Sequence, residues 1–255
     1  MGNVCQNSMA TDNVNFDENA SDIEWETRLP PHYHKILSRA VTQKKCSSKE
    51  EIYVALCNSI LIEEGKQIVW LDQSTEKIGL KASARSLVII WGNEDKYWRW
   101  VQTEESSFAL HSFGQVAELV EVWWFEVYQR FECTLLSSNT EYTVAFIVKI
   151  DKSRTNSYPS PFVFSFKTPE GNWTRSARFL DDLDKPVESH EGLQMTPLRY
   201  AENGWIEFIV GEFFLKEDDG CGRTRVIDVY MKNENSSFSK SGIFLDGVKI
   251  TPKQL

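Results

Sequence analysis

The residues whose types and spacing point to chemistry crowd into WGNEDKYWRW, residues 91–100, where Trp91, Tyr97, Trp98 and Trp100 flank the polar run Asn93, Glu94, Asp95. An indole at a strand end beside a polar turn can stack on the apolar face of a sugar while Asn93, Glu94 or Asp95 bonds its hydroxyls. The same rings can instead be core or rim packing: Trp98 and Trp100 share one face of an extended chain, with Arg99 opposite. Of the nine tryptophans, Trp91, Trp98, Trp100, Trp123 and Trp124 lie close together in the chain. In AELVEVWWFEVYQRF the core reading of Trp123 and Trp124 is the stronger one, because alternation along a strand sends one ring inward.

Other chemistry is sought and not found. There is no GxSxG elbow, HExxH helix, P-loop or complete GxGxxG. Of the four histidines, His32 and His34 sit two apart, the wrong spacing for two ligands on one helical face, and read as satisfied or solvent-facing. Asp181 and Asp182 stand among like charges with no apolar pocket to raise a carboxyl pKa. The five cysteines, Cys5, Cys46, Cys57, Cys133 and Cys221, form no CxxC pair and neither a disulfide framework nor a zinc site. No catalytic residue, metal or cofactor is expected. A net charge of −9 argues against an extended nucleic-acid footprint. No apolar run reaches the ~18 residues of a membrane helix, and nothing at the N-terminus resembles a secretory signal. The expected location is the cytoplasm, with the nucleus open as well.

The elements that must position the rings follow from periodicity. Residues 1–30 read as a disordered N-terminal segment, poor in large apolar side chains. Residues 31–64 read as a short helical segment: one helix follows Pro30–Pro31, with Tyr33, Ile36, Leu37 and Ala40 at helical spacing, and a second starts at Ser48, which has capping-box spacing to Glu51. From residue 65 to 255 the texture is all-β. Strands are expected at 67–71, 86–91, 98–101, 117–122 running into 124–130, 142–150, 161–167, 204–210, 225–230 and 242–250. In YTVAFIVKI both faces are largely apolar, which places residues 142–150 in the middle of a sandwich. Residues 180–203 read as a long loop that could line a site.

Five blocks then carry a resemblance. SARSLVIIWGNEDKYWRW, AELVEVWWFEVYQRF, SSNTEYTVAFIVKI, NGWIEFIVGEFF and SGIFLDGVKITPK resemble, in order, the signature blocks of the plant phloem protein 2 family, whose lectin branch is called Nictaba-like. The resemblance implies a mostly β, antiparallel, jelly-roll-like sandwich over residues 65–255. It implies a non-catalytic lectin for N-acetylglucosamine oligomers or N-glycan cores. Carried over, Trp91 and Trp98 are the sugar-binding rings, Asn93 lies in the polar turn between them, and Trp100 is left to packing. Where the family tends to have Trp-Lys-Ser-Gly, this chain has Ser239-Lys240-Ser241-Gly242, keeping Lys240 and losing the ring. The stretch 21–80 resembles the junction between F-box and lectin domain in the F-box branch, with no F-box core recognisable in the residues before it. The alternative function is therefore a protein-interaction module derived from a ubiquitin-ligase adaptor. Expected partners are GlcNAc-containing glycans or glycoproteins and, with the state open, a second copy of the chain; a Skp1-type subunit is not expected without an F-box. MGNVCQ offers Gly2 for myristoylation and Cys5 for palmitoylation, although Gln6 breaks the acyltransferase pattern, and only acylation would bring a membrane into play.

Overall fold

A computed structural model describes residues 20–42, 46–102, 114–187, 192–217 and 224–253. Gly2 and Cys5, and with them the acylation reading, lie outside the described residues. Three helices come first: α1 (Ala20–Arg28), α2 (Tyr33–Ser38) and α3 (Lys49–Cys57). Strands β1 (Ile60–Ile62), β2 (Gln67–Asp72), β3 (Lys77–Ser83), β4 (Val88–Ile89), β5 (Trp98–Gln102), β6 (Gln115–Leu119) and β7 (Phe125–Glu132) follow. Next come β8 (Thr140–Ile150), β9 (Phe162–Lys167), β10 (Trp173–Arg178) and β11 (Gln194–Met195). The chain closes with β12 (Leu198–Tyr200), β13 (Trp205–Leu215), β14 (Val226–Asn233) and β15 (Ile243–Pro252).

The strands form an antiparallel sandwich. The larger sheet runs β1-β2-β3-β15-β8-β13-β12, with β6 sharing the β3 edge of β15 and β5 pairing with β6. The smaller sheet runs β11-β10-β9-β14-β7-β4, and β11 alone is parallel to its neighbour. Tyr142, Val144, Phe146 and Val148 of β8 face Phe164 and Phe166 of the smaller sheet in one continuous core. On the other face of β8, Ile147 packs with Val116 and Trp205. The central strand is thus buried on both faces, as its alternation implies.

The helices belong to that core. Ser48 caps α3, its Oγ accepting the Glu51 N–H at 3.2 Å, and the Glu51 carboxylate accepts the Ser47 N–H at 2.7 Å in return. Tyr33 and Ile36 of α2, Tyr53 and Leu56 of α3 and Ile62 of β1 all join the main cluster, so packing is continuous across residue 64. Helix α1 lies inside the segment read as disordered. Its order comes from tertiary contacts that composition does not reveal: Trp25 meets Tyr53 at 5.2 Å, and the Arg28 guanidinium donates to the Tyr53 hydroxyl (2.8 Å) and to Glu76 (3.1 Å).

Three other expectations are corrected. Residues 117–130 do not run on as one extended stretch, because β6 ends in the larger sheet and β7 begins in the smaller. Strand β3 was not expected; its outward residues Lys77, Gly79 and Lys81 conceal the inward Ile78, Leu80 and Ala82. The stretch read as a loop at 180–203 contains β11 and β12.

The outer face of the larger sheet holds ion pairs. A β-bulge between Leu245 and Gly247 turns Asp246 to meet Lys81 at 2.7 Å, with both side chains almost fully buried. Gly247 is required there: a Cβ would lie 1.9 Å from the Ala82 carbonyl oxygen. Beside this pair, Glu207 binds Lys249 (3.3 Å) and Arg199 (3.1 Å). Burial lowers the Lys81 pKa and the Asp246 charge opposes that shift.

Two outcomes are expected. Asp246→Ala leaves the Lys81 ammonium buried without its carboxylate and costs about 3–5 kcal/mol in urea unfolding, whereas Lys81→Met combined with Asp246→Leu recovers most of that loss. Leu56→Ala, 0% exposed, costs about 2–5 kcal/mol and lowers the single melting transition of the whole domain. A separate early transition for the helices would show that they are not part of the core.

Candidate functional site

The site is built from connections at one end of the sandwich. Ile90 donates its N–H to the Glu126 carbonyl (3.1 Å), and the chain then turns through residues 91–97 into β5. The turn is closed by the Glu94 N–H on the Trp91 carbonyl (3.0 Å) and by the Tyr97 and Trp98 N–H groups on the Glu94 carbonyl (2.8 and 3.0 Å). Trp91 itself has φ +58, a left-handed backbone uncommon for a bulky residue and worth about 1–3 kcal/mol of strain. That backbone directs the indole outward, 41% exposed, with Tyr97 beside it at 5.2 Å. Asn93, Glu94 and Asp95 form an exposed polar rim.

Trp98 is placed differently from the sequence reading. It is 1% exposed, opposite Leu119 in the β5–β6 pair, packed on Phe125 at 5.8 Å, and its indole N–H donates to the Ile90 carbonyl. No face of that ring is open to a ligand. Trp100 packs as expected, half-buried, under the Arg85 guanidinium at 3.5 Å.

Lys240 is also removed from the contact surface. It is 1% exposed, and its ammonium donates to the Trp123 carbonyl (2.6 Å) and to the Asn235 carbonyl. Burial pushes its pKa down to about 8. Lys240 is a tie: paired backbone bonds with Val122 complete the junction between the 120–124 and 234–242 connections. Asn156, donating to the Ser239 hydroxyl, fastens a third connection to the same end.

These ties bring forward rings that sequence reasoning assigned elsewhere or missed. Trp123 and Trp124 are 49% and 38% exposed, because they lie in the connection between sheets and Phe125 is the ring that points inward. Phe238, 45% exposed, stands one residue before Ser239, the position where the family ring is missing. Its exposed position between Ser237 and Ser239 in a polar loop was the available signal. Trp91, Trp123, Trp124 and Phe238 thus belong to three connections at one end, with Asn93 near the first. Among the described residues no group of three or more His, Cys, Asp or Glu side chains could hold a metal ion.

Comparison with known proteins decides the family. A model of the phloem protein 2 family, PP2, matches residues 77–252. The chain belongs to the phloem protein 2 family. It is 32% identical over 237 residues to the Arabidopsis thaliana F-box protein At2g02240, covering 91% of this chain and 69% of that one. It is 30% identical over 236 residues to F-box protein PP2-B10 of the same plant, covering 92% and 82%. Among solved structures, the Caldicellulosiruptor saccharolyticus module CBM27-1, in complex with mannohexaose, overlaps 74% of this chain and 98% of its own at 14% identity and a TM-score of 0.35. A likeness that slight carries no argument here. In this chain the Trp91 ring is exposed while Trp98 and Lys240 are buried.

The two tryptophans should separate cleanly on substitution. Trp98→Ala, emptying a core site, costs about 3–5 kcal/mol of stability; Trp91→Ala, at a 41% exposed ring, costs distinctly less, about 1 kcal/mol. Chemical denaturation of the two variants checks this, and equal losses would contradict the placement of Trp98.

Proposed function

We propose that the loop end of the sandwich is a non-catalytic carbohydrate-binding site for N-acetylglucosamine oligomers or N-glycan cores, acting in the cytoplasm or nucleus. The observation that carries this reading is the exposed Trp91 ring, held outward by left-handed backbone beside the polar turn Asn93–Asp95. Strain maintained at a surface aromatic marks a position kept for contact rather than packing. A pyranose ring has an apolar face for the indole and a hydroxyl perimeter for the amide and carboxylates, and the adjoining rings of Trp123, Trp124 and Phe238 enlarge the apolar platform. Membership of the phloem protein 2 family supports the same ligand class.

A second reading has its own observation: the relatives aligned over nine-tenths of this chain are F-box proteins by name. In that reading the same exposed end binds a protein substrate.

A glycan array on the purified protein tests the first reading. Binding to GlcNAc oligomers should fall at least tenfold, about 1.4 kcal/mol, in Trp91→Ala with the fold intact by circular dichroism. Absence of binding to any glycan at millimolar concentration would sink it, and recovery of a protein partner together with a Skp1-type subunit would favour the second.

A further inference from the structure

The smaller sheet turns one face to the core and the other outward, and the outward face is organised in rows. Register places Val88, Tyr128, Tyr230, Ser165 and Arg175 side by side across five strands. The Tyr128 and Tyr230 rings stack at 5.4 Å, and the exposed Trp173 meets Tyr230 at 5.8 Å. This aromatic row is bordered by ion pairs on both sides. Arg130 forks onto Asp228 at 2.6 and 3.2 Å, and the Lys232 ammonium lies 2.8 Å from Glu126 and 3.5 Å from Glu234. At the end of the row a cavity of about 280 Å³ is lined by Ser165, Arg175, Leu193, Lys232 and Asn235 among others. Leu193 comes from the 180–203 segment, which sequence reading took as a loop that could line a site.

The face is continuous with the loop end. Glu126 accepts the Trp124 indole N–H at 3.3 Å and also pairs with Lys232. Asn235 at the cavity rim and Trp123 at the loop end are both bound through their carbonyls by Lys240.

We propose that this face, from the Tyr128–Tyr230–Trp173 row into the Arg175–Asn235 cavity, is an extension of the loop-end site that binds further residues of a neutral oligosaccharide. The inference rests on the carbohydrate reading of the loop end and adds length selectivity to it. The Arg130–Asp228 and Lys232–Glu126 charges that border the row are compensated within the protein, so an anionic ligand gains little from them. An apolar protein surface laid across the row would bury the bordering ion pairs at a cost of several kcal/mol. A sugar chain meets both demands: its C–H surfaces lie against the rings, and its hydroxyls bond the flanking carboxylates, ammonium and guanidinium groups.

The test is calorimetric titration of the full chain with chitobiose and chitohexaose. The expected result is hexamer binding at least tenfold tighter than dimer binding, beyond the few-fold gain from multiple registers. Tyr230→Ala and Arg175→Ala should remove that advantage and leave dimer affinity unchanged, while Trp91→Ala weakens both ligands. Trp173→Ala, at an exposed strand end, repeats the test where packing is least disturbed, and thermal melts confirm that each variant is folded. A hexamer advantage that is absent in the wild type, or that survives all three of these variants, overturns the extension and leaves the loop-end reading standing. Failure of the wild type to bind either oligomer overturns both.

Discussion

Strand β8 has no face to give to water, and most of the architecture answers that constraint. Its inner residues need an opposing sheet, which the Phe164 and Phe166 face of β9 supplies. Its outer residue Ile147 needs apolar neighbours within its own sheet, and Val116 of β6 and Trp205 of β13 provide them. Strand β6 reaches that position by pairing with β15 through Leu245 and Ala117, and β5 is held in turn by β6. Once β5 and β6 are fixed, the chain entering the first and leaving the second must turn at the same end of the sandwich. The ring-bearing connections at 91–97 and 120–124 are those turns. The candidate site is therefore a geometrical consequence of burying the central strand, with its own chemistry added in exposed residues that the core does not constrain.

The ion pairs on the outer face of the larger sheet show a different economy. Taking Lys81 and Asp246 out of water is unfavourable by several kcal/mol per ion, and their attraction only roughly offsets it. What the pair supplies is register: Asp246 reaches Lys81 because the bulge at Gly247 lets β15 follow β3 beyond that point. A one-residue slip of β15 would part these two buried charges while turning Val248 and Ile250 away from the core. Such a penalty discriminates against wrong pairings more strongly than apolar contacts, which tolerate approximate fits.

Legibility in the sequence divided along physical lines. An all-β texture revealed β8, β9 and β15; the inward row of β9 is unbroken, whereas the bulge shifts that of β15 between Leu245 and Val248. That texture could not reveal β3, where a buried lysine and a glycine imitate a polar loop, nor α1, whose order depends on Trp25 and Arg28 meeting Tyr53 across the chain. At the site, alternation correctly put Trp98 and Trp100 on one face, but parity alone does not tell which face is inside; Leu119 and Phe125 decide that. Trp123 and Trp124 were misassigned because alternation was carried through a change of sheet, where it has no meaning. Lys240 looked like a ligand-binding charge and is a tie between two connections, a role that only the positions of the Trp123 and Asn235 carbonyls disclose.

The helical segment and the exposed rings occupy opposite ends of the molecule. His32 bonds the Leu135 carbonyl and Arg28 bonds Glu76, contacts beside the end of β7 and the start of β8. The rings stand where β7 starts and β8 ends, about 35 Å away for an eleven-residue strand. Residues of α2, α3 and β1 share the main core with both sheets, so the described helices and the sandwich pack as one unit. A close-packed path between the two ends runs along β8, where Tyr142, Val144, Phe146 and Val148 are fully buried.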